Sequence, residues 1–201
     1  MNSLSQPQRG HLWSTAVIFI SLVAAPLAQA HPGHGFDNGI VAGLMHPLTG
    51  WDHLVAMIAV GLWAASLGGK ARWLLPAAFV GYLALGAVLG HLVGPIPGTE
   101  QAIVASLFFL GLMMATAFPI SVPAGAAMTG AFALFHGLAH GAEIPISAQG
   151  VAFGIGFICT SVLLLAAGGI LGRMGSKHLP LIPRLAGGVL AVVAVIVFAQ
   201  S

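Results

Sequence analysis

Charge is what this sequence has least of. Four acidic and six basic side chains, 5% of 201 residues, compare with about 25% in an ordinary soluble domain. So few charges cannot cover a water-facing surface, so the solvent for most of the molecule must be lipid. Cysteine is nearly absent too. Cys159 stands alone inside an apolar run, which excludes an intramolecular disulfide and any cysteine-based zinc finger. No phosphate-binding P-loop and no H-E-x-x-H zinc-protease signature occurs, and no loop is long enough to hold a soluble domain. What is abundant is apolar: 58% of the residues are hydrophobic and the mean hydropathy is +1.01. Against that background nine histidines stand out, because ionisable groups in a bilayer are costly and mark function. The few basic residues that raise the isoelectric point are too sparse to form a nucleic-acid surface, and no nucleic-acid partner is expected.

Residues 1–30 have a polar start with Arg9, an apolar stretch from Leu12 to Ala25, and the small-residue ending Ala28-Gln29-Ala30. This is the pattern of a cleavable secretory signal peptide. The mature chain, 31–201, reads as an all-α polytopic membrane helix bundle, a single transport domain of six transmembrane helices. The predicted spans are Trp51–Leu67, Trp73–Val93, Gln101–Phe118, Val122–His140, Ala148–Leu171 and Leu181–Ala199. The first is preceded by a broken or re-entrant segment, since Pro47-Leu48-Thr49-Gly50 interrupts the apolar run from Ile40. Irregular backbone at membrane depth is tolerated only where protein buries it or it lines a cavity.

Basic residues favour the cytoplasmic side of a membrane. With the mature N-terminus outside, Lys70, Arg72, Arg173, Lys177 and Arg184 all fall inside, and the C-terminus falls outside. Asp37, Glu100 and Glu143 then lie at or near outer ends. So do His46, His53, His91, His136 and His140, although random placement would scatter them over both leaflets.

Two constellations carry the chemistry. In His46-Pro-Leu-Thr-Gly-Trp-Asp52-His53 two imidazoles flank the helix break, and Asp52 can ligate a metal or fix the tautomer of a ligating histidine. A simpler role is available for Asp52 or Thr49, as N-cap of the helix beginning near Trp51. In Phe135-His136-Gly137-Leu138-Ala139-His140-Gly141-Ala142-Glu143 the two histidines are spaced i,i+4 and Glu143 follows by three, so one helix face presents all three. Paired imidazoles with a carboxylate suit Ni²⁺, Co²⁺ or Zn²⁺. Gly137 and Gly141 allow close helix approach beside them, as do Gly86/Gly90 and Gly150/Gly154 elsewhere. Cleavage after Ala30 leaves His31 at the N-terminus with His34 three residues on, a weak external chelating tail. His91 alone reads as an interfacial residue, and the methionines lack the repeated spacing of a copper path.

On Gly43-x-x-His46-Pro47-x-x-Gly50-x-Asp52-His53, the following Ala59-Val60-Gly61-Leu62-Trp63-Ala64 and Phe135-His136-Gly137-x-Ala139-His140-Gly141-x-Glu143, the mature chain resembles the HupE/UreJ family of bacterial nickel and cobalt permeases. The resemblance implies Ni²⁺ uptake across the bacterial inner membrane, with both mature termini periplasmic. It also implies metal-handling roles for His46, Asp52, His53, His136, His140 and Glu143, and delivery to cytoplasmic metallochaperones for hydrogenase or urease maturation. Nickel is then substrate rather than prosthetic group, with Co²⁺ or Zn²⁺ as alternatives, and no enzymatic activity is expected. Two other readings of the residues stay open: an intramembrane zinc hydrolase using Asp52 or Glu143 as base, and a metal sensor or assembly subunit that binds without conducting.

Overall fold

The computed structural model describes residues 39–144, 147–178 and 181–200. The predicted signal peptide and the tail with His31 and His34 lie outside them. The described residues form seven helices and no strand: α1 Gly39–Thr49, α2 Trp51–Leu67, α3 Ala71–Val93, α4 Thr99–Thr116, α5 Val122–Gly141, α6 Ala148–His178 and α7 Ile182–Phe198. The all-helical expectation is met, and most helix limits fall close to the predicted ones. The exception is α6, whose 31 residues continue past Leu171 to give a rod of about 46 Å. That exceeds the ~30 Å hydrocarbon core, so α6 must tilt or project beyond it.

Four helices, α3 to α6, are long and apolar enough to cross a bilayer, and α1 with α2 makes a fifth candidate bent by 74°. The apolar α7 has 17 residues, one short of the eighteen that the other spans reach. Large apolar side chains are exposed around the outside, among them Trp73, Leu92, Val151, Leu163 and Leu185, as lipid contact requires.

The predicted break falls at Gly50, where extended backbone (φ −80°, ψ 107°) separates α1 from α2. Pro47 lies inside α1 and removes one donor from its last turn. The Thr49 hydroxyl turns back to the carbonyls of Met45 and His46, at 3.3 and 3.1 Å, and Thr160 of α6 donates to the Leu44 carbonyl at 2.9 Å. The irregular backbone is therefore satisfied by protein. Neither Thr49 nor Asp52 caps α2; the N-cap is Gly50, with no side-chain hydrogen bond.

Glycines set the packing. A Cβ on Gly86 or Gly90 would run into the backbone of Leu134 or Leu138, and one on Gly137 or Gly141 into that of Leu83 or Ala87. Two small-xxx-small faces thus meet between α3 and α5, which run in the same direction. Helices α1 and α2 both follow α6 in its own direction, Gly43 lying against Phe153 and Gly61 against Leu165. This common sense makes the bent pair a single path along α6 rather than a hairpin. By contrast α7 runs against α4, with Gly187 opposite Met114 and Ala191 opposite Gly111. The pair Gly150/Gly154 reads in the sequence as another such packing face, but a Cβ on Gly154 would meet nothing within 4 Å.

Candidate metal centre

The break between α1 and α2 is what brings His46 and His53 around one point. His46 sits in the last turn of α1 and His53 in the first turn of α2, their ring centroids 5.5 Å apart. The i,i+4 spacing on α5 aims His136 and His140 at the same place: His140 lies 4.7 Å from His46 and 4.3 Å from His53, and His136 lies 5.2 Å from His53. One nitrogen from each of His46, His53 and His140 falls within 4.8 Å of the other two. Bonds of about 2.0–2.1 Å to a tetrahedral ion ask for roughly 3.4 Å between ligand atoms, so the three nitrogens stand on the scale of a metal site.

The nitrogens are short of partners. His53 Nε2 and His140 Nε2 face one another, so one ring must donate where both could ligate. His136 is 1% exposed and neither of its nitrogens has a hydrogen bond; Nδ1 of His53 and of His140 also lack one. Buried polar atoms without partners are rare and costly, and four on neighbouring imidazoles fit a site built for a cation. Asp52 Oδ1 stands 3.3 Å from His53 Nδ1, near enough for a charge contact though not aligned as a hydrogen bond. Glu143 Oε2 stands 3.8 Å from His140 Nδ1. That imidazole is the main reason the exposed Glu143 carboxyl is held below the usual glutamate range.

Some of the setting has no signal in the sequence. Phe157 of α6 faces three of the rings, 5.6 Å from His46, 6.1 Å from His53 and 5.6 Å from His140, and Phe153 adds a contact at 5.4 Å to His46. Together they form an apolar wall that keeps water from the imidazoles. Phe79 of α3 lies 6.3 Å from His136. Glu100, in the first turn of α4, is close enough to interact electrostatically with Asp52, His53 and Glu143. All three acids among the described residues therefore lie within electrostatic range of the histidine cluster. Nor is His91 merely interfacial: its Nδ1 is 3.0 Å from the Ile144 carbonyl and ties down the turn that carries Glu143.

These features define a polytopic helical membrane protein whose ionisable groups converge on a histidine cluster able to hold a metal ion. The chain belongs to the HupE/UreJ family: the family model described as HupE / UreJ protein matches residues 18–197. It is also 40% identical, over 181 residues, to Protein HupE of Rhizobium leguminosarum bv. viciae, an alignment covering 89% of this chain and 94% of that one. No solved structure matches.

Proposed function

We propose that this protein is a permease carrying Ni²⁺, with Co²⁺ as a second substrate, across the bacterial inner membrane toward cytoplasmic metallochaperones for hydrogenase or urease maturation. The observation that carries this reading is the convergence of His46, His53 and His140 within 4.8 Å, with His136 beside them. Neutral imidazoles replace part of the hydration shell, while Asp52, Glu143 and Glu100 supply charge at the mouth. His31 and His34 would collect the ion outside. Family membership supports transport over catalysis.

The proposed topology has six spans, with the α1–α2 pair crossing once and α7 crossing as the last. It is supported by the packing senses, since α2 runs with α6, α3 with α5, and α4 against α7, as strict alternation requires. The N- and C-termini are then periplasmic, with Lys70, Arg72, Arg173 and Arg184 at the cytoplasmic face. An inside-negative potential of 100 mV favours entry of a divalent ion by about 4.6 kcal/mol, twice the figure for a single charge, so inward movement needs no nucleotide.

Uptake of radioactive Ni²⁺ into proteoliposomes tests the proposal. Wild type should accumulate the ion under an inside-negative potential, and His53→Ala and Asp52→Ala should not. A protein that binds Ni²⁺ tightly but moves none would overturn transport in favour of a sensor or a zinc hydrolase.

A further inference from the structure

At the end of the bundle opposite the histidines, a cleft of about 500 Å³ opens between α2, α3 and α6. That volume lies within the ~300–1,000 Å³ of small-molecule sites. Its walls are apolar and include the small residues Gly61, Ala65, Ala77 and Ala166, while Arg72 and Arg173 stand on its lining. Trp73, 71% exposed, lines the same cleft, and an exposed tryptophan on a membrane helix marks headgroup level. The acids of the described chain, Asp52, Glu100 and Glu143, belong to the opposite helix ends. The cleft is thus amphipathic: a trough for hydrocarbon with two cations where a headgroup would sit.

We propose that this cleft binds an anionic phospholipid, its acyl chain lying along Ala65, Ala77 and Ala166 and its phosphate held by Arg72 and Arg173. Guanidinium groups match phosphate oxygens in a bidentate fork, and basic pockets between transmembrane helices on the inner side suit acidic headgroups. A free phosphate would use the arginines and leave the trough empty. A zwitterionic lipid would fill the trough but gain less from the two cations.

Native mass spectrometry of the full chain, released from nanodiscs of equal phosphatidylglycerol and phosphatidylcholine, tests this. Wild type should retain phosphatidylglycerol preferentially, and Arg72→Gln with Arg173→Gln should cut that preference by roughly 10- to 30-fold. Ala166→Trp, which fills the trough and keeps both arginines, should lose bound lipid of either kind. Arg184→Gln, which removes a guanidinium bonded instead to the Ala115 carbonyl, should change nothing. Each variant is admitted only if its helix content and Ni²⁺ binding match wild type; if Arg72 and Arg173 fail that check, Ala166→Trp and the lysine pair Arg72→Lys with Arg173→Lys, which should keep the preference, decide. Equal retention of the two lipids by wild type would overturn the proposal. So would loss of bound phosphatidylglycerol to millimolar inorganic phosphate, undiminished lipid in Ala166→Trp, or a cleft filled by a second copy of the chain.

Discussion

His53 and His140 present their Nε2 atoms to each other across the gap between α2 and α5, and no other pair in the described chain so directly couples the two motifs. Replacing either by alanine removes a ligand, and Ni²⁺ affinity measured by calorimetry on detergent-purified protein should fall by about 100-fold or more. Asp52→Asn keeps the shape and removes only the charge beside His53, so a smaller loss of about 10–100-fold is expected, as for other groups that orient a ligating histidine. Acid should act on the imidazoles. Ligation requires neutral rings, and protons compete with the metal for them, so affinity should fall on acidification. The Glu143 carboxyl is held below the usual glutamate range, chiefly by the His140 imidazole beside it, so it is anionic at neutral pH. Glu143→Gln should therefore weaken binding at neutral pH, by removing that charge from beside His140. Unchanged affinity in Glu143→Gln would show that the carboxylate takes no part in binding.

At the scale of helices, the contact between α3 and α5 holds the second motif in place. Gly137→Leu or Gly141→Leu drives a side chain into the backbone near Leu83 or Ala87, and a loss of about 1–3 kcal/mol, typical of overpacking, should appear as a lowered melting temperature in detergent. Gly154→Ala meets open space and should stay within ±0.5 kcal/mol of wild type. The helices themselves were legible because Gly and Pro clusters punctuate long apolar runs, as at Pro47 to Gly50 and Pro119 to Pro123. The end of α6 was not, since Gly172-Arg173-Met174-Gly175-Ser176 reads as a polar loop. A rod longer than the bilayer can carry such residues at headgroup level. The i,i+4 pair His136/His140 was equally plain, because imidazoles contrast with an apolar background. Phe153 and Phe157 were hidden by the same background: they are apolar residues in an apolar helix, and only tertiary packing turns them toward the rings. Glu100 was read as a residue of an outer end, and its approach to Asp52 depends on where α4 settles among its neighbours.

For the whole molecule, the described residues separate charge by end: Asp52, Glu100, Glu143 and the clustered histidines at one, Arg72, Arg173 and Arg184 at the other. That polarity should be visible in intact cells. With Cys159→Ser as background, a cysteine placed at the exposed Lys70 should be protected from an impermeant maleimide and one at the exposed Pro97 should be labelled; the reverse pattern would invert the topology, and labelling of both would break the alternation of six spans. The central claim is that imidazoles from two distant stretches of chain hold one ion. X-ray absorption spectroscopy of the Ni²⁺-loaded protein tests it most directly. At least three imidazole ligands are expected, falling by one in His140→Ala and by one in His46→Ala. A nickel environment of oxygen ligands alone, or one unchanged by both substitutions, would contradict it.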